Sequence, residues 1–178
     1  ILTISRLLCC PIWLILFYFD YYIFCLILIL YSAISDYLDG LLARKFNATS
    51  ILGKTLDPIA DKIFTCTVLI TFISDARANS IIVAIIIIRE IIVSGLREAL
   101  ANYNRANSLA VTFLSKIKTT FQFLTIFILA LVPLNIAFSN KIYNFGSIFL
   151  YITAILTVYT GYKYVINSII EFNKIKRE

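Results

Sequence analysis

Residues 36–61 read DYLDGLLARKFNATSILGKTLDPIAD, and this stretch interrupts sequence that is otherwise strongly apolar. At about 100° per residue in an α-helix, side chains three, four, seven or eight positions apart lie on one face. Both halves of the stretch have that spacing, so each half predicts a helix with a polar face. The acidic, small and basic residues that share these faces are Asp36, Asp39, Gly40, Ala43 and Arg44 in the first half, and Gly53, Asp57 and Asp61 in the second.

Two such helices packed against each other would bring four carboxylates together. Carboxylates that close repel one another and resist ionising unless a cation lies among them, and hard oxygen ligands suit Mg²⁺ or Mn²⁺. We therefore predict that Asp36, Asp39, Asp57 and Asp61 hold a divalent cation of this kind. Asp61 could also accept a proton from an attacking hydroxyl, because the chain contains no histidine that could act as the base. Small residues on the same faces would let the helices approach closely or leave room for a flat ligand. These are Gly40, Ala43 and Gly53.

The composition predicts an all-α, polytopic membrane protein. Hydrophobic residues make up 61% of the 178 residues, well above the proportion in soluble domains. We predict one integral-membrane domain over residues 1–178, with six spans near residues 4–19, 22–46, 57–74, 79–103, 116–134 and 145–172. The first two spans are divided at Asp20, because one continuous helix would place this charge near the bilayer centre at a cost of about 2.5–3.5 kcal/mol.

The basic residues predict the orientation of the spans. Of the 16 lysines and arginines, only Arg77 and Lys141 fall on the side opposite the aspartates in this topology. The positive-inside rule therefore places both termini and the aspartates in the cytoplasm. The net charge of +6 is scattered over helix ends and not gathered in a patch, so the lipid bilayer is the expected partner and nucleic acid is not.

The aspartate stretch resembles the signature of the CDP-alcohol phosphatidyltransferase family at every defined position. The resemblance implies transfer of a phosphatidyl group from CDP-diacylglycerol to a small alcohol, with release of CMP, by a homodimer in the bacterial inner membrane whose active site faces the cytoplasm. It makes the first three aspartates chiefly metal ligands and Asp61 both ligand and base. Arg44 would contact the diphosphate or pair with the aspartates. The opening residues LTISRLL also resemble the family, which assigns the nucleotide site to Thr3, Arg6, Gly40, Ala43, Arg44 and Gly53.

A second set of cations predicts a phosphate on the acceptor alcohol. Arg89 lies in the aliphatic run 85–93, where an unpaired guanidinium is costly, so it should face the bundle interior and find an anion. Arg97 lies eight residues further on the same face, and Lys116 and Lys118 begin the fifth span. Guanidinium groups suit phosphate, so we predict that these four residues bind the acceptor phosphate. Two simpler interpretations remain: Arg89 pairs with Glu90 to stabilise the bundle, and the lysines are ordinary helix-end residues that reach for water.

Residues 89–101 and 115–122 resemble the bacterial members of the family that use glycerol 3-phosphate, which is therefore the predicted acceptor. Another member of the family, acting on serine, inositol phosphate or phosphatidylglycerol, is the nearer alternative. A divalent-cation transporter is a more distant one. A transporter would place its carboxylates near the bilayer midplane on broken helices, whereas these aspartates fall at predicted helix ends.

Overall fold

The computed structural model describes the backbone of residues 2–46, 51–103 and 113–176. It describes the side chains of residues 5–35, 60, 62–103 and 113–176, except residue 136. This part of the chain contains helices and no strand. The helices are α1 (Leu2–Tyr18), α2 (Tyr22–Phe46), α3 (Ile51–Ser74), α4 (Ser80–Asn102), α5 (Phe113–Leu131) and α6 (Ser139–Ile175), with 3₁₀ turns at Val132–Leu134 and Ile136–Phe138. The predicted all-α fold with six helices is confirmed for the described residues.

The division between the first two helices is also confirmed, and its geometry is local. Asp20 adopts a positive φ of 59°, a left-handed conformation that aspartate tolerates better than most residues. The chain reverses there, and the Tyr22 hydroxyl donates to Oδ1 of Asp20 over 2.5 Å. At the start of α4, the side chain of Asn79 accepts hydrogen bonds from the backbone nitrogens of Ile81 and Ile82, as an N-cap residue does.

The third helix begins before the predicted span 57–74, because α3 starts at Ile51. This start agrees with the helix predicted from the spacing of Gly53, Asp57 and Asp61. Pro58 therefore lies inside the helix, where it leaves out one backbone hydrogen bond. Membrane helices commonly accommodate a proline in this way through neighbouring groups. The sixth helix likewise begins at Ser139, earlier than the predicted residue 145.

Aromatic packing joins α1 to α3. Trp13 is fully buried, and its Nε1 donates to Oγ1 of Thr71 over 3.1 Å. The rings of Phe64 and Phe72 meet the indole edge-on, at centroid distances of 6.0 and 6.2 Å. Because the indole nitrogen has a partner, the ring can be buried without the cost of an unpaired donor.

Two helical segments of the described chain, Phe113–Leu134 and Ser139–Ile175, are long and apolar enough to cross a membrane. Shorter apolar helical segments are Ser5–Tyr18, Tyr22–Ser35 and Lys62–Ser74. The outer face of α4 is also apolar, since Ile81, Ile88 and Ile91 are each more than half exposed. Its opposite face carries Arg89 and Glu90 into the interior of the bundle.

Candidate active site

A polar cavity of about 150 Å³ lies where α3, α4, α5 and α6 meet. The charged side chains that line it are Lys62, Arg89, Glu90, Arg97 and Lys118, and we call this group the cationic cavity. Four of these five side chains are positive and one is negative, so the described lining carries a net charge of three positive units. A small cavity with this charge is suited to an anion such as phosphate.

The centre of the cationic cavity is a buried network around one carboxylate. Arg89 and Glu90 are each 9% exposed, and Nη1 of Arg89 lies 3.1 Å from Oε1 of Glu90. Nζ of Lys118 donates to the same oxygen, which ties α5 to α4. The second guanidinium nitrogen, Nη2, donates to Oγ1 of Thr160 on α6 over 2.8 Å. Three helices are therefore connected through the arginine and the glutamate.

Hydrogen bonds also fix the positions of the remaining two cations, Arg97 and Lys62. Nη2 of Arg97 donates to the Tyr164 hydroxyl over 2.8 Å, and the guanidinium lies 4.8 Å from the centre of that ring. Nζ of Lys62 donates to Oγ of Ser94 over 2.8 Å, which joins α3 to α4. These contacts hold both side chains at the lining of the cavity.

Two donors in the cationic cavity lack a partner in the described structure. The Nε atoms of Arg89 and Arg97 are both buried and have no hydrogen bond there. A buried donor without an acceptor is costly, by roughly 1–3 kcal/mol. An anion bound between the two arginines would supply acceptors for both.

Gly161 provides the space in which Arg89 crosses α6. A Cβ atom at this position would lie 2.7 Å from Cγ of Arg89 and 3.2 Å from its Nε. Both distances are shorter than an ordinary contact between such atoms. The absence of a side chain at Gly161 therefore lets the arginine lie flat against the helix and reach Thr160.

The structure brings three of the four predicted acceptor-binding residues together: Arg89, Arg97 and Lys118 all line the cationic cavity. Lys116 is exposed on α5 and is not among the described lining residues. Arg89 pairs with Glu90, as the simpler interpretation predicted, yet it also faces the cavity. Arg89 therefore forms the ion pair and also lines the cavity, and its binding of an acceptor phosphate stays a prediction.

The aspartate and nucleotide predictions fall almost entirely outside the described side chains. The backbone of both halves of the motif is helical, but the side chains of the following residues are not described: Thr3, Asp36, Asp39, Gly40, Ala43, Arg44, Gly53, Asp57 and Asp61. Among the described side chains, no group of three or more potential metal ligands occurs. Arg6 is described and is 1% exposed on α1, and it is not among the described lining residues of the cationic cavity. Convergence of the four aspartates on a cation stays a prediction.

Sequence reasoning missed four residues that shape the cavity: Lys62, Thr160, Gly161 and Tyr164. Lys62 carried the only usable signal, because it directly follows Asp61 and so lies next to the aspartate motif. The other three are on α6, far along the chain from α4. Thr160 is 71 residues from its hydrogen-bond partner Arg89, and Tyr164 is 67 residues from its partner Arg97. Nothing in the local sequence around them indicates a polar partner.

Comparison with known proteins decides the family. A family model described as CDP-alcohol phosphatidyltransferase matches residues 1–159. The chain belongs to this family. The matched region includes both halves of the aspartate motif and all five charged residues of the cationic cavity, and it ends just before Thr160.

Individual relatives of this family match over nearly the whole chain. A protein of Blochmanniella floridana is 36% identical, with 98% of this chain and 93% of the relative covered. A Rickettsia bellii protein is 39% identical, with 92% of this chain and 90% of the relative covered. A protein of Pectobacterium atrosepticum is 32% identical, with 93% of this chain and 91% of the relative covered. All three are named CDP-diacylglycerol–glycerol-3-phosphate 3-phosphatidyltransferase.

Proposed function

We propose that this chain transfers the phosphatidyl group of CDP-diacylglycerol to glycerol 3-phosphate, which yields phosphatidylglycerophosphate and CMP. Family membership supports the donor and the reaction class, and the names of the relatives support the acceptor. The observation that carries the choice of acceptor is the cationic cavity. A neutral alcohol such as serine or free inositol has no phosphate that would require four converging cations.

In this reaction the cavity binds and orients the acceptor. The phosphate of glycerol 3-phosphate would accept hydrogen bonds from the unpartnered Nε atoms of Arg89 and Arg97 and lie between Lys62 and Lys118. Holding the phosphate fixes the position of the free primary hydroxyl. Such positioning lowers the activation barrier of the transfer, because less translational and rotational freedom is lost in reaching the transition state. Lys62 immediately follows Asp61 on α3, so a phosphate near Lys62 would bring the hydroxyl close to the aspartate motif.

Asp61 is the proposed base of the transfer step. The acceptor hydroxyl oxygen forms a bond to the phosphorus that carries diacylglycerol, its proton passes to Asp61, and the bond from that phosphorus to the CMP oxygen breaks. CMP leaves with the bonding electron pair. No covalent intermediate with the protein is needed, because the chain's contribution is to position the two substrates and to stabilise the developing charge.

The four aspartates are proposed to hold Mg²⁺ or Mn²⁺. The donor set fits such a cation, because Asp36 and Asp39 on α2 and Asp57 and Asp61 on α3 would supply hard oxygen ligands from segments that are helical in the structure. A bound divalent cation would neutralise the diphosphate as its bond breaks. The small residues beside the aspartates, Gly40, Ala43 and Gly53, and the basic Arg44 are proposed to accommodate the nucleotide, together with Thr3 and Arg6.

We place all six helices across the bacterial inner membrane, with both termini and the active site on the cytoplasmic side. The exposed isoleucines of α4 and the apolar surfaces of α5 and α6 support burial in lipid, and the distribution of lysine and arginine supports the orientation. Such an arrangement opens the site to water for the acceptor and sideways to lipid for the acyl chains. The homodimer implied by the family resemblance stays a prediction.

A direct assay separates this function from those of other family members. The full chain, purified in detergent with Mg²⁺ or Mn²⁺, is given CDP-diacylglycerol and one of four alcohols: glycerol 3-phosphate, serine, inositol phosphate or phosphatidylglycerol. We expect CMP release and a phosphatidylglycerophosphate product with glycerol 3-phosphate alone. Exclusive turnover of any other alcohol would refute the proposed acceptor while leaving the reaction class intact.

A further inference from the structure

A neutral amide lines the cationic cavity beside its charged groups. Gln122 on α5 is among the lining residues and is only 6% exposed, yet its side chain forms no hydrogen bond with another described residue. It follows Lys118, a second lining residue, by four positions, so both side chains lie on one face of α5, about 6 Å apart along the helix axis. An amide in this position is buried against the bundle but open to whatever occupies the cavity.

An amide recognises different groups from an arginine or a lysine. Its carbonyl oxygen accepts hydrogen bonds and its nitrogen donates them, whereas guanidinium and ammonium groups only donate. A phosphate dianion only accepts, so it suits the cations, but a hydroxyl both donates and accepts and is matched by an amide. The hydroxyl of Thr119, which also lines the cavity, already donates to the backbone oxygen of Ser115 over 3.0 Å. Gln122 is thus the better placed of these two neutral groups to bind a hydroxyl.

Glycerol 3-phosphate carries one group that the proposed reaction leaves without a partner. Its phosphate is assigned to the unpartnered Nε atoms of Arg89 and Arg97, and its primary hydroxyl attacks the donor. The secondary hydroxyl, on the carbon between these two ends, has no assigned contact. The cavity measures about 150 Å³, so a three-carbon ligand held there lies within reach of each helix that lines it, α5 included.

We propose that Gln122 binds the secondary hydroxyl of the acceptor, so that the site selects a polyol phosphate over a phosphate ester that lacks this hydroxyl. The inference rests on the proposed function, since it concerns the same acceptor. A hydrogen bond at the middle carbon restricts rotation of the three-carbon chain and so holds the primary hydroxyl towards the donor. An acceptor with a methylene group in place of the secondary hydroxyl would displace water from the amide without replacing its hydrogen bonds.

The test compares glycerol 3-phosphate with 3-hydroxypropyl phosphate, which keeps the phosphate and the primary hydroxyl and lacks the secondary one. Values of kcat/KM for both acceptors are measured with the unmodified full chain and with Gln122→Met, whose side chain has a similar length but no amide. We expect the unmodified protein to prefer glycerol 3-phosphate by roughly 10- to 100-fold. Gln122→Met should reduce this preference to within about threefold by losing activity with glycerol 3-phosphate and little with the analogue.

The matched control is Thr125→Val, which also removes a buried polar group from α5. The Thr125 hydroxyl lies 2.9 Å from that of Thr153 and is not among the described lining of the cavity, so this variant should keep the preference for glycerol 3-phosphate. Equal losses with both acceptors in Gln122→Met would overturn the proposal and make Gln122 a packing residue. Should Gln122→Met fail to fold, Gln122→Asn decides, because its amide is withdrawn by one methylene: the preference must fall, and an unchanged preference would contradict the proposal.

Thermal unfolding with each acceptor, in the absence of CDP-diacylglycerol, separates this inference from the proposed function. Stronger stabilisation by glycerol 3-phosphate than by the analogue, lost in Gln122→Met, would support the role of Gln122 even if the chain turned over neither compound, and the assigned reaction would then be refuted. Turnover of glycerol 3-phosphate without preference over the analogue would overturn the inference and leave the reaction standing. Absence of both turnover and stabilisation would overturn both.

Discussion

Replacing Gly161 with alanine would place a methyl group against Arg89 where α6 passes α4. The added carbon would lie 2.7 Å from Cγ of Arg89, so that atom must move by about 1 Å to reach an ordinary carbon–carbon separation of about 3.5–4.0 Å. The far end of the same side chain is fixed by hydrogen bonds to Glu90 and Thr160. A movement of this size would break at least one of them.

The magnitude follows from the kind of bond that is lost. A hydrogen bond that involves a charged group contributes about 1.5–3 kcal/mol, which corresponds to roughly a 10- to 100-fold loss in kcat/KM for the acceptor if the guanidinium no longer meets the phosphate. Alanine is a better helix residue than glycine by up to about 1 kcal/mol. The variant should therefore fold, and its defect should be local to the cationic cavity.

Gly95→Ala is the matched control, because a Cβ at Gly95 on α4 meets no atom within 4 Å. Steady-state kinetics are measured for both variants in the same detergent, with glycerol 3-phosphate varied at saturating CDP-diacylglycerol and then the reverse. We expect Gly95→Ala to behave as the unmodified protein and Gly161→Ala to lose acceptor kcat/KM. Activities of the two variants within about twofold of each other, or a loss confined to CDP-diacylglycerol, would refute the reasoning that links Gly161 to the acceptor through Arg89.

Three further predictions test other parts of the site. Asp57→Asn should abolish turnover with little change in melting temperature, and a chelator should do the same reversibly; near-normal activity would remove Asp57 from the metal ligands. Arg97→Ala should raise the acceptor KM by roughly 10- to 100-fold and that of CDP-diacylglycerol far less, because Arg97 lines the cavity and its buried Nε has no partner among the described residues; an unchanged acceptor KM would assign the arginine to packing against Tyr164. Lys118→Ala should raise the acceptor KM while Lys116→Ala leaves it within about twofold, since only the former lines the cavity; equal effects would contradict the placement of α5.

The helices were predictable because their causes are local or depend on composition alone. Long apolar runs require helices in a membrane, and the cost of a charge at mid-bilayer located the turn at Asp20. The predicted span 57–74 began too late because it too was based on a local signal. Pro58 after Asp57 is a good local start signal, but α3 continues through it from Ile51. The helical spacing of Gly53, Asp57 and Asp61 was the better guide to this part of the chain.

Half of the cationic cavity was predictable and half was not, for a geometric reason. Arg89 and Arg97 are on one helix, so their spacing alone places them on one face, and the cost of burying Arg89 demands an anion. Their hydrogen-bond partners, Thr160 and Tyr164, are on α6. These contacts depend on how α4 and α6, which are far apart in the sequence, cross each other. That crossing is set by close packing at Gly161, which no periodicity reveals.

The pair Arg89–Glu90 shows why a structural and a functional interpretation of one motif need not exclude each other. Arg89, Glu90 and Lys118 are all buried, and a buried charge without a counter-charge is costly. Glu90 offsets this cost for Arg89 and Lys118, and its contact with Lys118 joins α4 to α5. Arg89 keeps its Nε without a partner among the described residues and lines the cavity, so the ion pair that stabilises the bundle also positions the guanidinium for the phosphate that we propose it binds.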